Sequence, residues 1–219
     1  REIGRILPGV SEQAKTVVVV DNGSTPENLK ALEEVTKPFD NIAILRNPEN
    51  MGIAYALNRG AQFALENGYE WMLTLDDNGK PVPEMVKTML AAYHRLPSSE
   101  QAKTAILAPN YNTLKGRVYP GNTPFFVPTT IASGQLVKTA AWKEVGFYKE
   151  DLFIACVDHE FSFRMLRAGY RILLVPTCFL EATAGPNPVK HSILGRKFVV
   201  PNYHPDRYYY TFRNSVYLY

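Results

Sequence analysis

No stretch of this 219-residue chain stays apolar for the roughly twenty residues needed to cross a bilayer. Cysteine is nearly absent. Cys156 and Cys178 have no metal-ligand spacing and cannot build a disulfide framework, which predicts two free, buried thiols in a reducing compartment. Charge of one sign is scarce as well: 24 Lys and Arg against 21 Asp and Glu leave a formal charge of +3, too little to argue for nucleic acid. What is present is ordinary for a globular chain, with 46% hydrophobic and 21% charged residues, enough to bury a substantial core in one domain. Aromatic residues are the exception, because the tyrosines gather at the end as Tyr208, Tyr209, Tyr210, Tyr217 and Tyr219. Such residues can stack on sugar rings, though they more often fill a core or meet a further helix. Arg1 to Leu7 read as the tail of a helix rather than as a secretory signal.

Apolar runs bounded by turn residues alternate with helical patterns, which predicts an α/β sheet. Val17 to Val20 is β-branched throughout and stops at Asp21-Asn22-Gly23-Ser24. Thr25 caps a helix predicted from Pro26 to Val35, and Ile42 to Leu45 forms the next strand. Ile53 to Glu66 carries Leu57, Ala61, Ala64 and Leu65 on one face and is stopped by Gly68. Trp71 to Leu75 runs into Asp76-Asp77-Asn78-Gly79; a helix follows over Pro83 to Tyr93, then a strand over Thr104 to Ala108 closed by Pro109. Residues 110 to 130 read as a long loop, Thr139 to Val145 as a short helix, Asp158 to Ala168 as a helix and Arg171 to Val175 as a strand. After Pro176 the chain reads as irregular and basic until a helix over Arg207 to Leu218.

Two strands therefore end in acidic turns. In open α/β sheets ligands bind beyond the carboxyl ends of the strands. A carboxylate there can accept from a ribose or base, or coordinate a divalent cation that neutralises a diphosphate. Either turn taken alone is also explained by its turn-forming residues.

The ordered series VVVVDNGS (17–24), NPENMGIAYALNRG (47–60), WMLTLDDN (71–78), IASGQLV (131–137), GFYKEDLFIACVDHEFSFRMLRAGYRILLVP (146–176) and RYYYTFRNSVYL (207–218) resembles the family 2 glycosyltransferases, above all their rhamnosyltransferase branch. The resemblance spans nearly the whole chain. It implies a GT-A type fold: a mixed, mostly parallel sheet flanked by helices, with a Rossmann-like nucleotide-binding half. It also implies one domain over 1–219, divided into a nucleotide-sugar half (1–109) and an acceptor and catalytic half (110–219). The family's first strand lies ahead of Arg1, so the sequence reads as a portion of a longer protein.

By position, Asp21 matches the residue that contacts the base or ribose, with Asn22 and Ser24 beside it. Asn50, Gly52 and Asn58 match the lining of the nucleotide-sugar site, Gly52 permitting close backbone approach. Asp76, Asp77 and Asn78 match the Asp-X-Asp turn, with Asp76 and Asn78 as ligands for Mg²⁺ or Mn²⁺. Asp158 matches the general base, a position that a helix N-cap would also explain. His204, Arg207 and Tyr209 match a region near the leaving diphosphate, whose alternative is a basic, solvated surface.

Three departures bear on the metal and the base. Asn78 stands where the family has a second Asp, Ala182 where it has His, and Ala155 where it has Asp ahead of the base. The first two remove a charge and a ligand from one site, so the expected metal is weakly bound or absent. The implied function is inverting transfer of a rhamnose-like sugar from a nucleoside diphosphate to a polysaccharide or lipid-linked glycan. It would take place in the cytoplasm, in peripheral contact with the inner face of the membrane. The competing expectations are an impaired relative that binds a sugar nucleotide or glycan without transferring sugar, and a nucleotidyltransferase on a similar sheet.

Overall fold

The computed structural model describes residues 3–113, 116–117, 119–182, 189–193, 196–200 and 202–218. Helix α1 (Ile3–Ser11) buries Leu7 and Val10 against Val17 at the start of β1 (Val17–Asn22). Strand β1 lies parallel to β2 (Ile42–Asn47), and α2 (Pro26–Thr36) crosses between them. Thr25 caps α2 by accepting from the Asn28 amide at 3.4 Å, with Pro26 at the first helical position. Helix α3 (Gly52–Glu66) follows, and Ala54, Ala61 and Ala64 on its buried face let it sit close to the sheet.

The chain continues through β3 (Trp71–Leu73), β4 (Gly79–Pro81), α4 (Met85–His94), α5 (Ser98–Lys103), β5 (Thr104–Thr113), β6 (Gly116–Arg117), β7 (Phe125–Val127) and β8 (Leu136–Lys138). Then come α6 (Thr139–Val145), a 3-10 turn (Glu150–Leu152), α7 (Val157–Arg167), β9 (Arg171–Ala182), β10 (Val189–Ile193), β11 (Arg196–Val200) and α8 (Pro205–Leu218). The main sheet runs β3-β8-β5-β9-β4, with β6 on β5 and β7 on β9. Its centre is the parallel pair β5 and β9, buried on both faces. Ile106, Ala108, Ile172 and Leu174 pack with Trp142, Phe161 and Met165 on one side. Leu107, Leu173 and Val175 pack with Met85 and Met89 on the other. Alternating direction along a strand makes both strands continuous apolar runs.

The mixed α/β architecture agrees with expectation, but the pairing is less parallel than expected. Of the eight pairings among the described residues, only β1–β2 and β5–β9 are parallel. Neither Pro109 nor Pro176 ends its strand. The β5–β9 register shifts between Pro109 and Asn110, so the strand absorbs a residue without a donor at an irregularity and continues. The stretch after Pro176 is accordingly strand as far as Ala182, and β6 and β7 occupy part of the expected loop. Cys178 is buried and its thiol is pushed up to about 12 by burial, whereas Cys156 is only half-buried. Tyr219 lies outside the described residues.

Candidate active site

Asp76 lies three residues beyond the end of β3, and Asp158 is the second residue of α7. A short loop, Ala132 to Gly134, brackets both. The Asp76 amide donates to Ser133 Oγ at 3.1 Å, and the Ala132 amide donates to Asp158 Oδ2 at 3.3 Å. The loop is fixed to the sheet by Gly134 N to Thr74 O at 2.6 Å and Thr74 N to Gln135 O at 2.9 Å. Gly134 has φ +89°, and a Cβ there would lie 2.7 Å from Pro109 Cγ, so this bracket requires glycine. The IASG segment named the loop in sequence, but its hold on the Asp76 backbone and the Asp158 carboxylate is visible only in three dimensions.

The Asp76 carboxyl is held above its ordinary value, first by loss of solvation, then by the charges of Asp77 and Asp158, with Arg207 opposing. Ionising it is therefore costly, and a cation placed there would relieve that cost. The residue as a whole is nonetheless exposed. Tyr111 borders the same region. Its hydroxyl donates to Ser133 O at 3.1 Å, and burial, with lesser contributions from Asp158 and Asp76, holds its phenol protonated. Arg207 lies over the Tyr203 ring at 4.2 Å, and its positive charge opposes those of Asp77 and Asp158 at Asp76.

Asp158 does not serve as the helix N-cap. That position belongs to Cys156, with φ 60°, and Asp158 is instead paired with His159. His159 Nδ1 lies 3.0 Å from Asp158 Oδ1, and this hydrogen bond is the first cause of its raised pKa, ahead of opposing burial. Nothing in its spacing distinguishes His159 in the sequence.

On the β1 side, buried Asp21 accepts from the Ser24 amide at 3.3 Å. Leu75, one residue before Asp76, packs in the same cluster as Val17 and Val19 of β1. Several residues that the resemblance assigns to the nucleotide-sugar site make hydrogen bonds or ion pairs within the protein. Asn22 is spent internally: its Oδ1 accepts from Asn47 at 2.9 Å and from Met51 N at 3.1 Å, while its Nδ2 donates to Asn50 and Gly52. Asn58 is buried, donates to Tyr148 O at 2.9 Å and to Glu150, and accepts from Tyr148 N at 2.8 Å. Its amide ties α3 to the 148–150 turn. His204 is exposed and faces Asp206 at 3.1 Å at the start of α8, so it is not among the charges acting on Asp76.

Gly52 admits a close approach, but by the protein's own backbone. At φ +84°, a Cβ would meet Phe153 O at 2.7 Å and Phe153 Cα at 2.9 Å. Gly52→Ala must push Phe153 away or distort the helix start, and an expected loss of about 1–3 kcal/mol follows. Urea denaturation of the two proteins measures it; equal midpoints would show that the loop yields freely.

Among the described residues no three His, Cys, Asp or Glu side chains gather closely enough to hold a metal by themselves. Asp76 and Asn78 offer one carboxylate and one neutral carbonyl, a donor set suited to an ion that takes its remaining ligands from a diphosphate and water. A groove of about 500 Å³ between α1 and α4 contains none of the candidate residues.

A family model described as glycosyl transferase family 2 matches residues 2–131, ending before Asp158. The chain is similar to dTDP-rhamnosyl transferase RfbF of Shigella flexneri, 29% identical over 98% of this chain and 74% of that protein. It is also similar to an uncharacterized protein of Methanocaldococcus jannaschii, 32% identical over 41% of this chain and 42% of the other. Among solved structures, GalNAc-T7 with UDP, GalNAc and Mn²⁺ superposes with a TM-score of 0.63 at 16% identity, over 83% of this chain and 38% of that one. S. aureus TarS 1-349 in complex with UDP gives 0.64 at 21% identity, over 84% and 57%. The chain thus spans well under two thirds of either solved chain, and the likeness shows the fold.

Proposed function

The chain belongs to glycosyl transferase family 2, and from that premise we propose that it moves rhamnose, or a closely related sugar, from a nucleoside diphosphate to a glycan hydroxyl with inversion. The observation that carries the reading is the bracketing of Asp76 and Asp158 by one loop, with the Arg207 charge acting on the same carboxylate. Asp158 takes the proton of the acceptor hydroxyl as its oxygen attacks the anomeric carbon; the bond from that carbon to the diphosphate oxygen breaks, and the nucleoside diphosphate leaves. Asp21 accepts from the ribose or base, and the segment from Asn50 to Gly52 lines the nucleotide. Arg207 stabilises the charge developing on the diphosphate. Mg²⁺ or Mn²⁺ held by Asp76 and Asn78 would supply further neutralisation there.

The relationship to the Shigella protein favours dTDP-rhamnose as donor. Residues 1–109 form the donor half and 110–219 the acceptor half. The acceptor is a polysaccharide or lipid-linked glycan reached from the cytoplasmic side, by peripheral membrane contact in the lipid-linked case. No helix among the described residues is long and apolar enough to cross a membrane. The departures at Asn78 and Ala182 favour a second reading, a relative that binds the sugar nucleotide without turnover.

Calorimetric titration with dTDP and UDP, with and without Mn²⁺, combined with release of dTDP from dTDP-rhamnose, separates these readings. The expected result is dTDP binding that Mn²⁺ tightens by roughly fivefold or more, an increment lost in Asp76→Asn, together with measurable release. Binding without release supports the second reading. No binding of either nucleotide under any condition overturns both.

A further inference from the structure

We infer that Asn214, on the last helix, is the positioning residue that holds the catalytic carboxylate in place, an inference that rests on Asp158 being the base. In the four residues from Phe153 to Cys156, three that are not glycine have positive φ: Phe153 (61°), Ala155 (68°) and Cys156 (60°). At Phe153 (φ 61°, ψ −63°) the Ile154 amide donates to Leu152 O at 2.7 Å, a γ-turn of the rarer, more strained form. Such conformations persist only where the surroundings over-determine them.

The surroundings do so. Asn214 is fully buried, and its Nδ2 lies 2.9 Å from each of three carbonyl oxygens, those of Leu152, Ile154 and Ala155. Arg213 orients that amide by donating from Nε to Asn214 Oδ1 at 2.8 Å, and its other end donates to Asp151 O. Phe153 O accepts from Ile53 N at 2.8 Å, and the Phe153 ring stacks on Tyr210 with centroids 4.9 Å apart. Every carbonyl from Asp151 to Ala155 is thus engaged by a donor from α8 or α3. Three residues beyond Ala155 stands Asp158, whose contact with Ala132 N fixes it beside Asp76. Asn214 has no hydrogen bond to Asp21, Asn50 or Asp76, so its effect is on the placement of the base and not on the grip on the nucleotide.

The test uses Asn214→Ala in the complete protein, with dTDP-rhamnose hydrolysis, dTDP affinity and hydrogen exchange of residues 150–158 as readouts. Turnover should fall roughly 10- to 100-fold, the scale of a misplaced catalytic group, while dTDP affinity is unchanged and exchange accelerates within that segment. Ala155→Gly in the same background should restore part of the turnover and protection, because glycine adopts positive φ without strain. Wild-type turnover with unchanged exchange overturns the inference. So does a joint loss of affinity, melting temperature and turnover that Ala155→Gly does not relieve, since that marks a merely structural role. Asp158→Asn measured alongside distinguishes the failures. If it is inactive while Asn214→Ala is active, the clamp alone is wrong; if it is fully active, Asp158 is not the base and the inference falls with it.

Discussion

Asp158→Asn is expected to lower turnover about 10²- to 10⁴-fold, the range for loss of a general base, with dTDP affinity unchanged. The substitution keeps the shape of the side chain and its ability to accept from Ala132 N, so the bracket that joins it to Asp76 survives. What it removes is the capacity to take a proton. It also removes one of the charges that raise the Asp76 carboxyl, so Asp76 should ionise at lower pH in the variant. Release of dTDP from dTDP-rhamnose at saturating donor measures the first effect, and turnover close to wild type would take Asp158 out of the mechanism.

The pH profile carries a linked signature. His159 is raised above its ordinary value of 6.5, first by its hydrogen bond to Asp158. Below that raised pKa the imidazolium holds the Asp158 carboxylate in an ion pair; above it the ring is neutral, the ion pair is gone and the carboxylate oxygen is free to meet the acceptor hydroxyl. Turnover should therefore climb as pH rises through a value above 6.5. The stabilising part of the pair has the opposite trend, present at low pH and lost as pH rises through the same value.

The residues that were legible in the sequence are those whose role is local. β1 is a run of four valines that ends in an acidic turn, and the periodicity of α3 places its alanines on one buried face. Asp21 and Asp158 stand out because they sit at a strand end and a helix start, and Asp76 because it closes an apolar run with a turn. The misses share a different physical origin. Pro109 and Pro176 look like strand stops because proline lacks a donor, yet a register shift between two long central strands lets both stay in the ladder region. The bracket at Ala132 and Ser133 acts on partners 26 and 57 residues away, and Asn214 acts across about 60. No local pattern encodes such pairings. Asn58 shows the converse: its position matches a ligand-lining residue, and its amide is engaged by the Tyr148 backbone, 90 residues downstream, and by the Glu150 side chain.

The largest expected change in stability follows from Glu160, two residues past the base on α7. Its side chain is 7% exposed and accepts from Arg164 Nε at 2.7 and 2.9 Å, one helical turn on. The remaining nitrogens of Arg164 donate to the carbonyls of Val145, Gly146 and Phe147, tying α7 to the end of α6. Glu160→Ala leaves that guanidinium, itself 20% exposed, without its carboxylate in a poorly solvated place. Removing one partner of a buried pair typically costs 3–5 kcal/mol, about a third of the stability of an ordinary domain. At roughly 2–4 °C per kcal/mol for a chain of this size, the melting temperature should drop by about 10 °C. Glu160→Gln keeps the shape and one acceptor and should cost less. Lys149, 3.5 Å from Glu160 but 37% exposed, gives only weak compensation in the reciprocal Arg164→Ala protein. Because α7 also carries Asp158, turnover in Glu160→Ala should be lost on warming in step with unfolding and be close to normal well below the melting point. If turnover is lost at all temperatures while the melting curve is unmoved, Glu160 belongs to the chemistry and not to the frame that supports it.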